Sequence, residues 1–312
     1  MKLFEGLEPL AAPFGPSTVA IGTFDGIHVG HQAIIKAAVQ DAAAHNRASI
    51  VFTFDRHPAE LLAPDRAPDY LTTSEQRNRY VADLGVDGLV IAEFDRALAK
   101  LSPEDFVARI LISRLGARSI VVGANFAFGK NRAGDIGFLE AAQQRYDFSL
   151  CALDPVVIAG SPASSTRVRE LLRSGKIEEA EQVLGHPYWL AGKVVEGQKL
   201  GRKLGYPTAN LDLDCRQVVP LDGIYAVRVR LDDGRLIQGA CSIGDRPTVA
   251  GAGRSIETYL LDFDEDIYGR SMEVRFVQRL REEQKFESLD ALIQQMEKDV
   301  QLARQALSRE PG

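Results

Sequence analysis

The pattern of apolar residues changes once along this chain, near Gly185, and that change calls for two unlike folding units. Before it, short apolar runs alternate with stretches of helical spacing. Candidate strands are Thr18–Ile21, Ser49–Phe54, Gly88–Ile91, Ser119–Val122 and Phe148–Leu153, with helices over Gln32–His45 and Pro103–Leu115 between them. Continuously apolar strands are buried on both faces, which requires a parallel sheet covered by helices. Ser102 is placed to cap the second helix, with Pro103 at its first position and Glu104 and Asp105 in its first turn. After Gly185, Ile224–Leu231 and Leu236–Ile243 flank Asp232-Asp233-Gly234, a hairpin signal, and Glu257–Phe263 and Met272–Leu280 read as two more strands. Short strands joined by Gly-rich turns predict a closed antiparallel barrel. Ser288 can cap a last helix whose stripe of Leu289, Leu292, Ile293, Met296, Val300 and Ala303 packs on that barrel. The expectation is a Rossmann-like α/β parallel-sheet domain over 1–185, then an antiparallel β-barrel domain with a C-terminal helix over 186–312.

At 312 residues the chain has room for two such domains. A net charge of −6 argues against a general nucleic-acid binder but leaves room for a local anion site. No apolar run approaches the about 20 residues that span a bilayer. Met1 to Ala20 lacks the apolar core of a signal peptide. Cys151, Cys215 and Cys241 form no Cys-x-x-Cys pair and read as reduced and mostly packed. The expected setting is the cytoplasm, with no membrane and no nucleic acid as partner.

Between the first long strand and the first long helix lies Asp25-Gly26-Ile27-His28-Val29-Gly30-His31. A strand, a Gly-containing turn and a helix start is a place for phosphate, because free N–H groups and the macrodipole favour an anion there. Two imidazoles in that turn can donate to phosphate oxygens as charge builds, which suggests attack at the α-phosphate of a nucleoside triphosphate. His-x-x-His can also bind zinc, but no Cys lies nearby and His45 and His57 lack ligand spacing. Ser164-Ser165-Thr166-Arg167 precedes the helical pattern Val168–Arg173, and an arginine in a first turn points to an anion rather than to capping alone. Arg169 is equally placed. Gly123 to Gly129 follows another strand and carries Phe126 and Phe128; this and Phe54-Asp55-Arg56-His57-Pro58 are weaker signals.

In the second half, Gly201-Arg202-Lys203-Leu204-Gly205 lets backbone amides close over phosphates. Thr208 and Asn210 point the same way along an extended segment and offer hard oxygens suited to Mg²⁺. Glu257 opens a predicted strand and becomes a candidate general base if it faces the barrel mouth.

Together these motifs resemble the prokaryotic bifunctional riboflavin kinase/FAD synthetase family over nearly the whole chain. Gly22 to His31 is similar to its adenylyltransferase signature, Ser164 to Arg169 to its second nucleotide motif, and Pro207-Thr208-Ala209-Asn210 to its kinase signature. Pro220 to Val227, Ile243 to Val249 and Glu257 to Phe263 match further kinase segments. Thr23 stands where the family often has Asn, Tyr259 where His is frequent and Ser242 where Asn is frequent. The last two are at positions the chemistry does not require.

The resemblance implies a nucleotidyltransferase-type first domain and two reactions with ATP as co-substrate and Mg²⁺. A kinase half makes FMN from riboflavin, with Glu257 as base, Thr208 and Asn210 on the metal, and Gly201, Lys203 and Gly205 over the ATP phosphates. An adenylyltransferase half makes FAD and pyrophosphate from FMN. It uses His28 and His31 at the reacting phosphate, Thr23, Phe24 and Gly26 against ATP, and Ser164, Thr166 and Arg167 on the β- and γ-phosphates. Asn125 and Phe126 would seat the flavin. Implied partners are riboflavin, FMN, FAD and ATP, with self-association left open. The rival readings are a kinase with an inactive first half, a flavin-binding protein without turnover, and a transferase for another phosphorylated acceptor.

Overall fold

The computed structural model describes residues 1–7, 15–197, 201, 204–246 and 253–309. Backbone contacts group the chain into two compact units, Met1–Pro68 with Ser74–Ser164, and Asp69–Thr73 with Ser165–Gly312.

The first unit is a six-stranded parallel sheet. Its strands are β1 (Lys2–Glu5), β2 (Ser17–Ile21), β3 (Ala48–Phe54), β4 (Gly88–Ala92), β5 (Ala117–Gly123) and β6 (Ser149–Leu153), in the order β1-β4-β3-β2-β5-β6. As the apolar runs require, β2 and β4 are buried at every position. One core lies on each face. Phe24, Ile27, Ile35 and Ala38 cover Ala20, Val51 and Val121 on one side; Phe106, Val107, Leu111 and Leu139 cover Val19, Phe52 and Ile120 on the other. The chain winds outward from β2 through β3 to β4, then returns to the far side of β2 to form β5 and β6. The winding therefore reverses between β2 and β5, and a crevice opens at the carboxyl ends of such a pair.

Three local features differ from the sequence expectation. The first long helix is Val29–Ala44, because His28 caps it; His31 is thus inside the helix rather than in a turn. The helix expected over Pro103–Leu115 starts as predicted, with the Ser102 hydroxyl accepting from the Asp105 N–H at 3.0 Å. It then widens into π-type spacing over Phe106–Ile112, with Leu115 N–H on Ile110 O at 3.0 Å. The wider turn puts Phe106, Val107, Ile110, Leu111 and Leu115 into one core, which a 3.6-residue repeat does not bring together as well. Finally, β1 is an edge strand with Leu3 46% exposed, too short and too wet to show an apolar run. A small hairpin, β7 (Val157–Ile158) with β8 (Ser161–Pro162), closes the unit.

In the second unit a closed antiparallel barrel runs β10-β13-β12-β11-β14-β9. Its strands are β9 (Trp189–Val195), β10 (Thr208–Leu213), β11 (Gly223–Leu231), β12 (Leu236–Arg246), β13 (Gly253–Leu260) and β14 (Ser271–Arg281). The Asp232-Asp233-Gly234 hairpin forms as expected, with Gly234 at φ +84°. Sequence patterning marks four of these strands, reads β10 only as an extended segment, misses β9, and places the third predicted strand too late. β13 ends at Leu260, so Phe263 lies beyond it and Glu257 sits mid-strand. The helix Leu289–Ser308 is capped by Ser288 and lies on the outer face of β11, β12 and β14. Its buried face is Ala303, Ala306 and Leu307 against Ala226 and Val277, while Leu289 is 58% exposed. The predicted stripe therefore holds except at Leu289: Leu292, Ile293, Met296 and Val300 are half-buried and Ala303 is buried.

The helices Ser165–Arg173 and Ile177–Leu184 group with the barrel. Glu181 pairs with Arg275 of β14 at 3.4 Å, and the Leu221 N–H donates to Leu172 O at 3.0 Å. Leu172, Ile177, Ala180, Val183 and Leu184 are fully buried. Segment Asp69–Thr73 belongs to the same unit. Its Asp69 carboxylate accepts from Arg173 and Arg216 at 2.8 Å, and its carbonyl accepts from Arg169 Nε at 2.8 Å. Fully burying one aliphatic side chain contributes about 1.5–3 kcal/mol. A fragment of residues 165–312 should therefore be more stable to urea than one of 186–312 by about 3 kcal/mol or more. Coincident midpoints would show that these helices add nothing to the barrel.

Candidate active sites

The first site is the turn after β2. Phe24 (φ +48°), Gly26 (φ +81°) and Ile27 (φ +38°) all adopt left-handed backbone within four residues. Such conformations cost energy for non-glycine residues and persist only where the surroundings impose them. Here Phe24 and Ile27 are 0% and 1% exposed in the core, so their burial holds the turn in place. The turn delivers His28 to the helix start, where its Nδ1 accepts the His31 N–H at 3.3 Å. With Nδ1 accepting, the neutral ring carries its proton on Nε2. The His31 ring stacks on His28 with centroids 3.7 Å apart and meets the edge of Phe24 at 5.2 Å. A Cβ on Gly30 would lie 3.1 Å from the His28 ring, which would have to give by a few tenths of an ångström to accommodate it. The helix has no acidic residue in its first turn to offset its positive end. Thr23 is half-buried, its carbonyl accepting from the Thr53 hydroxyl at 3.1 Å.

The loop after β5 stands on the other side of the winding reversal. Asn125 is exposed at its tip and Phe126 is half-buried. The Phe126 ring stacks on Phe128 at 5.4 Å, and Phe128 touches Phe106 and Phe138. Phe54 and Phe94, at the ends of β3 and β4, extend the same set of rings through Phe52. In sequence the segment holding Phe54 is a weak signal and Phe94 carries none; only the parallel sheet gathers these rings at one edge. His57 of that segment is structural: its Nδ1 accepts the Ala59 N–H at 3.1 Å, and its own backbone N–H donates to Glu60 at 3.2 Å.

Of the second nucleotide motif, Ser164 ends the first unit, while Thr166 and Arg167 lie in the first turn of the helix Ser165–Arg173. That helix starts three residues earlier than predicted. Arg169, equally placed by sequence, is 7% exposed and holds the Asp69 carbonyl, which makes it structural.

The second site lies on the barrel wall. Along β13, Ile256, Thr258 and Leu260 point into the core, at 3%, 0% and 5% exposure, so the half-buried Glu257 faces outward and not into the barrel. Strand register puts Asn210 directly opposite Glu257, and Thr208 opposite Tyr259. Residues two apart share a face, so Thr208, Asn210 and Glu257 lie on one patch. The Thr208 hydroxyl donates to Glu257 Oε2 at 3.2 Å. Asn210 is 6% exposed, and a Cβ on Gly197 would strike its amide at 2.3 Å. Thr208 and Asn210 also line a cavity of about 280 Å³ whose other walls include Leu260, Phe263, Ile267 and Tyr268. Glu257 is not on the cavity wall but is tied to it through Thr208. Gly201 O accepts from Leu204 and Tyr206, and Gly205 has φ +83°, which shapes the loop before Thr208. Arg202, Lys203, Pro247, Thr248 and Val249 lie outside the described residues.

The donor set suits Mg²⁺ in one specific way. Thr208 and Asn210 offer neutral hard oxygens side by side, on a cavity whose wall also carries Asp264, Glu265 and Asp266. No cluster of three His, Cys, Asp or Glu exists among the described residues. The cysteines offer no rival chemistry. Cys151 is exposed, Cys215 is half-buried, and Cys241 is buried, with its thiol pushed up to about 12 by that burial.

The FAD synthetase family model matches residues 12–167, and the riboflavin kinase family model matches residues 184–307. The chain is 39% identical over 306 residues to the bifunctional riboflavin kinase/FMN adenylyltransferase of Escherichia coli K12, covering 98% of this chain and 97% of that protein. It is 42% identical over 305 residues to the protein of the same name from Pseudomonas fluorescens, covering 97% of each. A solved structure described as a macrolide-efflux protein from Streptococcus pneumoniae has a TM-score of 0.88 at 31% identity, covering 97% of this chain and 99% of that one. No helix among the described residues is long and apolar enough to cross a membrane.

Proposed function

The chain belongs to the bifunctional riboflavin kinase/FMN adenylyltransferase family, and from that premise we propose which residues perform each of its two reactions. It phosphorylates riboflavin to FMN and transfers the adenylyl group of ATP to FMN, giving FAD. We assign the first reaction to 186–312 and the second to 1–185, in the cytoplasm.

In the kinase half the riboflavin 5′-hydroxyl attacks the γ-phosphorus of ATP. A neutral alcohol is a poor nucleophile, so a base within reach lowers the barrier. Glu257 takes that proton on a carboxylate oriented by the Thr208 hydroxyl. Thr208 and Asn210 hold Mg²⁺, which when bound supplies charge to offset the phosphates. The cavity wall of Phe263, Ile267 and Tyr268 takes the apolar face of the nucleoside. Gly201, Lys203 and Gly205 are the residues we assign to the ATP phosphates.

In the adenylyltransferase half an FMN phosphate oxygen attacks the α-phosphorus of ATP and pyrophosphate leaves. This nucleophile is already anionic and needs no base. The task is alignment of two anions and relief of their repulsion. The Nε2–H of His28 and the ring of His31 donate to the reacting phosphate at the unopposed positive end of their helix. Thr23, Phe24 and Gly26 shape the ATP side of that turn. Ser164, Thr166 and Arg167 hold the β- and γ-phosphates. Asn125 and Phe126 meet the flavin, with the stacked Phe126–Phe128 pair as its platform.

One observation carries the kinase assignment above the rest: Thr208 bonds Glu257 on the same patch that presents Asn210 to the cavity. The product profile from riboflavin, ATP and Mg²⁺ tests the whole reading. FMN should appear first and FAD after it. FMN without FAD would favour an inactive first half, and stoichiometric flavin capture without ATP turnover would favour a binding protein.

A further inference from the structure

We propose that Ser242 is a positioning residue for the kinase base, its hydroxyl donating to the Glu257 carboxylate and turning it toward the attacking alcohol. The proposal rests on reading Glu257 as that base. By sequence alone Ser242 lies outside the chemistry. The register reverses this: Ser242 of β12 is the direct cross-strand partner of Glu257 on β13. Directly opposite residues of an antiparallel pair put their Cβ atoms about 4.5–5.5 Å apart on one face. That face is the outer one, because Cys241 and Ile243 on either side of Ser242 are both 0% exposed in the core. Ser242 thus shares the patch of Thr208, Asn210 and Glu257.

Two further facts make this more than proximity. Glu257 Oε2 accepts from Thr208 on the β10 side, and among the described residues no protein donor reaches its Oε1. Among the same residues the Ser242 hydroxyl has no hydrogen-bond partner, although it is half-buried. A half-buried hydroxyl and a carboxylate oxygen on directly opposed residues of adjacent strands, each without a protein partner among the described residues, are placed to bond one another. With Thr208 on one flank and Ser242 on the other, the carboxylate would be fixed in one rotamer with a lone pair left for the substrate hydroxyl. Fixing a base in its working geometry acts on turnover rather than on substrate binding.

The test measures kcat and KM for riboflavin phosphorylation in Ser242→Ala and Ser242→Thr. It repeats Ser242→Ala in a Glu257→Asp background, where the carboxylate is withdrawn by one methylene. Ser242→Ala should lower kcat about 10-fold, the scale of one hydrogen bond to a charged group, with KM for riboflavin nearly unchanged. Ser242→Thr should recover most of the loss. In the Glu257→Asp background the same Ser242→Ala change should alter kcat by less than about twofold. FMN adenylylation, assayed with FMN and ATP, should be unaltered in every variant. An unchanged kcat in Ser242→Ala overturns the proposal, as does an equal loss in both backgrounds. Glu257→Gln separates the two levels. Full turnover there removes the base reading and this proposal together, whereas loss there with normal turnover in Ser242→Ala removes only the proposal.

Discussion

Glu257→Gln should stop FMN formation from riboflavin while leaving FAD formation from supplied FMN intact. The substitution keeps the size of the side chain and keeps an oxygen that can accept from Thr208, so the patch and its cavity should survive. What it removes is the ability to accept a proton. General-base catalysis contributes roughly 10²–10⁴-fold, so kcat for phosphorylation should fall by that factor. Each reaction must be assayed with its own substrate, because a dead kinase also withholds FMN from the second step. Chromatography of riboflavin, FMN and FAD reads both. Phosphorylation at the normal rate would assign the proton to another acceptor, and parallel loss of adenylylation from supplied FMN would contradict independent chemistry in the two halves.

How much of this was legible in sequence follows from where each signal is stored. β2 and β4 are buried at all positions, so composition alone revealed them, and His28 and His31 lay in a short segment flanked by both neighbours of the site. The reversal of winding between β2 and β5 is a property of strand order, which no local window contains. For the same reason Phe54, Phe94 and Phe126, far apart in the chain, became one aromatic edge only in the folded sheet. Glu257 is legible by type, while its orientation stays open in sequence. Placing it at the strand start hid the alternation with Ile256 and Thr258 that turns it outward. Ser242 gave no sign because its meaning lies wholly in register with another strand. The π-type turn over Phe106–Ile112 escaped because helical reading assumes one repeat. Asp69 gave no local sign of joining Arg173 and Arg216.

His28→Ala should lower kcat for adenylylation of FMN by roughly 10²–10³-fold, the effect of losing one donor aimed at a developing charge. This residue also has a second job. Its Nδ1 caps the helix Val29–Ala44, and losing a cap costs about 1 kcal/mol in stability. Activity lost through a frayed helix would mimic activity lost through a missing donor. His28→Ser separates the two, because a serine oxygen can still accept the His31 N–H but cannot place a donor where imidazole Nε2 stands. Both variants should therefore lose adenylylation alike, and only His28→Ala should lose thermal stability. Riboflavin phosphorylation should persist in both, since no kinase residue lies in that turn. Recovery of FAD formation in His28→Ser would mean that the ring serves the helix and not the phosphate. The adenylyl transfer would then have to draw its stabilisation from His31 and the helix end alone.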